Sequence, residues 1–166
     1  MRNDPTRLAE LRELMLLDTS PERDFDDLTK LLATSLDVPI AMVNLLDERR
    51  DWFKSCVGLT HRESAAATSF CEAFFHSARD VIVVDDTTLD PRFSGHPLVV
   101  GTPFIRFYAA ARLSVRGLTM GTLCAYDLRP RLISTDQLAQ MQSLASAVVE
   151  LLQRRSGRTS AHADAR

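Results

Sequence analysis

The chain has 166 residues, 45% of them hydrophobic, and a formal net charge of −2 at pH 7. That is the length of one domain with enough apolar residue for a core, and the near balance of charge argues against a broad electrostatic grip on nucleic acid or anionic lipid. The apolar runs are too short to span a bilayer and the N-terminus lacks a signal peptide's apolar stretch, so a cytoplasmic protein with no membrane partner is expected. The three cysteines (Cys56, Cys71, Cys124) form no CxxC pair, which argues against a disulfide framework and a structural zinc site.

After a short tail, residues 1–4, Leu8, Leu11 and Leu14 or Met15 recur at helical spacing and predict a helix over about residues 5–17. Ser20-Pro21 reads as the start of a second helix carrying Phe25, Leu28, Leu32 and Leu36 and ending near Asp37. Ile40–Leu46 is apolar on both faces apart from Asn44, so it predicts an inner strand. The charged turn Asp47–Arg50 leads to its antiparallel partner, Asp51–Val57. Leu59–Ala67 has no periodicity; Thr68 or Ser69 can then cap a helix through Phe70, Cys71, Phe74 and Phe75. Val81–Val84 is a short buried strand. Asp85–Pro103 is a long broken loop, of the kind that usually carries function.

The pattern centres on one hairpin, Phe104–Val115 and Met120–Asp127, joined by Arg116–Thr119. In its first arm the odd positions (Ile105, Phe107, Ala109, Ala111, Leu113, Val115) are all apolar, whereas the even ones include Arg106, Tyr108 and Arg112. One face belongs to the core; the other is a candidate binding wall. Ser134 and Gln137 make a capping-box pattern for a last helix bearing Leu138, Met141, Val148 and Leu151; beyond Gln153 the chain turns polar, and residues 154–166 read as a disordered tail. This order implies an α+β fold: an antiparallel sheet with the terminal helices on one face and the mid-chain helix and long loops on the other.

Several strings then become familiar together: Val38–Asp47, Trp52-Phe53-Lys54-Ser55, Thr68-Ser69-Phe70-Cys71, Asp90-Pro91-Arg92-Phe93, Ile105–Ala109 and Gly121-Thr122-Leu123-Cys124. Over about residues 5–153 the chain resembles the GAF domain found at the front of bacterial sensor histidine kinases and diguanylate cyclases. The resemblance implies a GAF-like, PAS-related sheet and a regulatory module rather than an enzyme. It also implies an unidentified small-molecule effector, and either a signalling kinase or cyclase served in trans or a sensor fragment alone; a homodimer through the terminal helices is expected from Val148, Leu151 and Leu152, should they overhang the sheet.

A pocket on such a fold should lie between sheet, mid-chain helix and long loop. Its candidate lining is Trp52, Phe53, Phe70, Cys71, Phe74, Asp90, Arg92, Phe93, Arg106 and Tyr108. Each has a plain alternative: Phe70 and Phe74 as core packing, Asp90 and Arg92 as an ion pair pinning their own loop, Arg106 in an internal salt bridge instead of on an anionic ligand. No metal or cofactor is expected, and no catalytic residue, because His61, His76, His96 and His162 sit apart from any nucleophile. The thiol chemistry of free methionine sulfoxide reductases, through Cys71 and Cys124, stays open as a third function beside sensing and a ligand-free dimerisation module.

Overall fold

The structure, a computed structural model, describes residues 1–164, with side chains as far as Gly157. In chain order its strands are β1 (Ile40–Leu46), β2 (Arg50–Val57), β3 (Glu63–Ala65), β4 (Val81–Val84), β5 (Phe107–Val115) and β6 (Leu118–Asp127). Its helices are α1 (Pro5–Glu13), α2 (Arg23–Leu36), α3 (Pro97–Val100) and α4 (Thr135–Asp164). The strands form one sheet of order β3-β2-β1-β6-β5-β4, every pairing antiparallel, as tight hairpin connections require.

The two faces of β5 separate as the alternation predicts. Phe107, Ala109, Ala111, Leu113 and Val115 join Leu32, Leu36, Met141, Val148 and Leu152 under α2 and α4. Tyr108 and Ala110 join Phe70, Phe74 and Phe93 on the opposite side. The register Tyr108↔Tyr126 and Ala110↔Cys124 puts Cys124 on that second face. Ile105 departs from the pattern: it precedes the strand and lies on the second face too.

Two irregularities shape the centre of the sheet. The β1–β2 register shifts between Val43 and Asn44, pairing Val43 with Ser55 and Asn44 with Phe53 and leaving Lys54 as the extra residue. The fully buried Lys54 ammonium reaches the α1–α2 linker, donating to Thr19 Oγ1 (2.8 Å) and the Ser20 carbonyl (2.7 Å) and pairing with Glu22 (2.6 Å). At Gly121 a Cβ would lie 2.0 Å from the Asn44 carbonyl oxygen, so only glycine lets β6 approach β1 there.

Some boundaries differ from the sequence reading. Helix α1 ends at Glu13, because Met15 and Asp18 take positive φ (53° and 63°) to turn Leu16 into the core. Helix α2 starts at Arg23, with Glu22 at the cap position and no side-chain cap bond; the Glu22 carboxylate pairs with Lys54 and Arg155 instead. The segment after Ser69 winds as a 3₁₀ helix, Phe70–His76, and the loop expected to lack structure contributes β3. The expected tail is also corrected. Helix α4 runs through residues 154–164, with Arg155 on Glu22 and Ser156 buried, and only residues 165 and 166 of that tail lie outside the described residues.

Candidate functional site

The bulge sets the site. Asn44 sits on β1 where the strand is covered on both faces, and is 1% exposed. Its amide donates to Asp51 Oδ2 (3.1 Å) and lies 3.6 Å from Cys71 Sγ, which fixes the orientation of the group. Asn44 Oδ1 has no hydrogen-bond partner among the described residues.

Asp51 organises the surroundings. Ser69 donates its hydroxyl to Asp51 Oδ2 and accepts the Cys71 backbone N–H (3.1 Å), which starts the 3₁₀ helix. The other carboxylate oxygen takes Arg2 Nη2 at 2.9 Å; Arg2 also reaches Glu72 (2.8 Å) and the Asp47 carbonyl (2.7 Å). Burial pushes the Asp51 pKa above the ordinary carboxylate value, against the pull of Arg2, Ser69 and Asn44. Arg7 lies behind Arg2, donating to the Arg2 carbonyl at 2.7 Å, and both guanidinium groups stand over the Phe75 ring. Burial, and then the charge of Arg2, lowers the Arg7 pKa to about 10, so it stays charged at neutral pH.

Asn44 and Asp51 form one end of a cavity of about 230 Å³. Its floor is Ile40, Met42 and Phe53; Phe70, Leu98, Ile105 and Tyr126 wall it, and His61, Glu63, Ser64 and Pro103 lie exposed around its mouth. No lysine or arginine lines it. Behind the wall, Phe70 stacks on Phe93 (5.1 Å) and touches His96 (4.3 Å), Tyr108 (5.3 Å) and Tyr126 (5.6 Å). Burial keeps both tyrosines neutral, pushing their pKa values well above 10.

The expected lining is only partly brought together. Phe53 and Phe70 line the cavity, and Cys71, Phe93 and Tyr108 back it, Tyr108 wholly buried 3.1 Å from Cys71 Sγ. The others lie elsewhere. Trp52, next to Phe53 on a strand, necessarily points to the helix-covered face. Phe74 packs under the Arg112 guanidinium at 5.2 Å. Asp90 and Arg92 pair with each other at 2.8 Å on the surface, the plain reading of that pair. Arg106 lies outside the cavity lining and donates to the carbonyls of Val99 (2.9 Å) and Ile105 (3.2 Å), and, after the Thr88 hydrogen bonds, its charge helps to lower the Asp86 pKa. Arg112 donates to the Phe74, Ser77 and Arg79 carbonyls and to Thr119 Oγ1 (2.7 Å), and pairs with Asp80 at 3.3 Å. Sequence reasoning missed Asn44 and Asp51 as site residues, although a lone amide in an otherwise apolar inner strand was a visible signal.

Cys71 and Cys124 are both fully buried and share Thr122, whose Oγ1 lies 3.0 Å from Cys71 Sγ and 3.7 Å from Cys124 Sγ. Burial and the neighbouring Cys71 hold Cys124 as a thiol, its pKa well above 9. Among the described residues no three His, Cys, Asp or Glu side chains gather as a metal site, and no helix is long and apolar enough to cross a membrane.

Comparison with known proteins agrees with this architecture. Over 130 residues, 78% of its length, the chain is 38% identical to a cyclic di-GMP phosphodiesterase of Pseudomonas aeruginosa, but it spans only 22% of that protein. The blue-light-absorbing form of the PixJ GAF domain of Thermosynechococcus elongatus superposes with a TM-score of 0.67 at 16% identity, covering 95% of each chain. A free methionine-R-sulfoxide reductase of Neisseria meningitidis superposes with a TM-score of 0.64 at 12% identity, covering 90% of this chain and 88% of its own. A family model described as GAF domain matches residues 20–151, and the chain therefore belongs to the GAF domain family, a family of sensory and regulatory modules.

Proposed function

We propose that this GAF domain senses a small molecule held in the cavity beneath the Phe70–His76 helix and passes its presence to the terminal helices. It acts in the cytoplasm, through a homodimer of those helices or on a kinase or cyclase in trans, and does no chemistry of its own. The observation that carries this reading is the cavity itself: a largely apolar hollow ending in one immobilised amide, the usual composition of a ligand site, though at about 230 Å³ below the ~300–1,000 Å³ typical of drug-sized pockets. The relay is supported by the chain of contacts from Asn44 through Asp51 to Arg2, which ties the cavity to the segment ahead of α1. Native mass spectrometry of the purified protein should find a small molecule retained by the wild type and lost from Ile105→Trp, which plugs the hollow. A wild type that carries nothing and binds no small molecule in a fragment screen would leave only a ligand-free dimerisation module.

The shared Thr122 contact of Cys71 and Cys124 favours a second, thiol-based reading. Their complete burial opposes it, since a sulfoxide must reach the attacking sulfur. No turnover of free methionine sulfoxide with thioredoxin is expected.

A further inference from the structure

Each polar side chain on the buried walls of the cavity is either committed to the protein or out of an occupant's reach. Asp51 receives Arg2 on one carboxylate oxygen, and Asn44 and Ser69 on the other. Asn44 turns its amide hydrogens to Asp51 and Cys71, and its Oδ1, with less than 1 Å² of accessible surface, is sealed from the hollow. The Ser69 hydroxyl donates to Asp51 and accepts the Cys71 N–H. Thr68 donates its hydroxyl to the Ala65 carbonyl (3.2 Å), and its own carbonyl faces His96 Nε2 (3.1 Å). The Tyr126 hydroxyl is hydrogen-bonded to Cys124. The other polar side chains of the lining, His61, Glu63 and Ser64, are exposed at the mouth, where Glu63 pairs with Arg50 (2.7 Å) and His61 and Ser64 lie open to water.

Charge follows the same division. Arg2 neutralises Asp51 at 2.9 Å, Arg50 neutralises Glu63, and no lysine or arginine lines the hollow. A charge of either sign carried inward would lose its water and meet no free counter-charge, and a neutral polar group would find no partner. What the interior does offer is apolar contact, from Ile40, Met42 and Phe53 below and Phe70, Leu98 and Ile105 around. An apolar hollow of about 150 Å³ holds one benzene, so about 230 Å³ takes one ring with short arms.

Resting on the sensory reading above, we infer that the effector is a small uncharged molecule with a ring-sized apolar body, its polar atoms confined to the one end that stays at the mouth beside His61 and Ser64. Nucleotides and sugar phosphates, which carry polar atoms along their whole length, are excluded by the same walls.

The test titrates four para-substituted benzenes of one size into the full isotope-labelled chain and reads amide NMR shifts: 4-ethylbenzyl alcohol, 1,4-benzenedimethanol, 4-ethylbenzoate and 4-ethylbenzylammonium. The first two share shape and differ in whether the second arm ends in a methyl or a hydroxyl. The mono-alcohol should bind at least about tenfold more tightly than the diol, because the inward hydroxyl goes unanswered, and both ions should bind more weakly than the mono-alcohol. Ile105→Trp should abolish binding of all four, as should Leu98→Trp, whose half-buried position on the one-turn helix keeps the test open if Ile105→Trp does not fold. Comparable binding of the two alcohols, lost in either variant, would overturn the inference and leave the cavity a sensory site. Tightest binding of either ion would overturn it in the same way. Binding that survives both variants would place the probes elsewhere and overturn it too. If none of the four binds, the inference falls, and the sensory reading falls with it only if native mass spectrometry also finds no molecule retained by the wild type.

Discussion

Asp51 is a buried carboxylate held by a residue from the very start of the chain. Removing one partner of a buried ion pair leaves the other charge stranded, at a cost of about 3–5 kcal/mol, whereas removing both costs much less. Arg2→Ala is therefore expected to destabilise the domain by about 3 kcal/mol in urea denaturation, and Arg2→Ala with Asp51→Asn by clearly less than the sum of the two. The pH dependence should follow. Burial has raised the Asp51 pKa in the folded state, so the stability this group contributes is present below about pH 4 and lost as pH rises through the raised value. Arg2→Ala removes the strongest opposing pull, so its Tm should fall more steeply than the wild type's between pH 4 and 7. At this scale the sequence carried half of the message. Asn44 stands out in Ile40–Leu46 by being the one polar residue there, but its partnership with Asp51 depends on a bulge that shifts the pairing at Val43 and Asn44, and no period-two pattern announces a bulge. Arg106 misleads for the converse reason: it looks like a strand residue, yet β5 starts after it and its guanidinium turns to carbonyls.

At the scale of elements, α3 is one turn whose cap is His96. The Leu98 N–H donates to His96 Nδ1 (3.0 Å), so Nε2 carries the proton toward the Thr68 carbonyl (3.1 Å), and both Leu98 and Thr68 line the cavity. Burial lowers the His96 pKa below 6.5, so the stability of the neutral ring is complete above about pH 6.5 and lost as pH falls through the folded-state value. Protonating Nδ1 breaks the cap. Thermal stability should decline below pH 6.5, and His96→Asn, which keeps a capping acceptor without titrating, should flatten the profile. The β1–β6 seam tests a second element: Gly121→Ala should cost about 3 kcal/mol or more, read from thermal unfolding, because its methyl would collide with the Asn44 carbonyl. The central hairpin was the most legible element, since alternation alone assigned the faces from Phe107 to Val115, and the Ser134–Gln137 box is present as reciprocal bonds of 2.9 and 3.1 Å. The 3₁₀ winding of Phe70–His76 and the short β3 were not legible, since neither has a period of its own and both are set by what Ser69 and β2 offer them.

For the molecule as a whole, the order of elements was enough to give an antiparallel sheet with helices on one face, because short connections between apolar runs leave few other topologies. The reach of α4 was not, because no apolar stripe marks residues 154–164, and the contact of Arg155 with Glu22 joins residues far apart in the sequence. Because Arg2 ties Asp51 to the segment ahead of α1, hydrogen exchange of the α1 amides should be measurably faster in Arg2→Ala than in the wild type. The burial of Arg2 also has a practical side. Met1 is 78% exposed while its neighbour is 6% exposed, so whatever is joined to the front of this domain emerges beside the acidic end of the cavity. A purification tag or fluorescent reporter fused there would tug on the Arg2–Asp51 pair and disturb the fold around it, and the far end of α4 is the safer point of attachment.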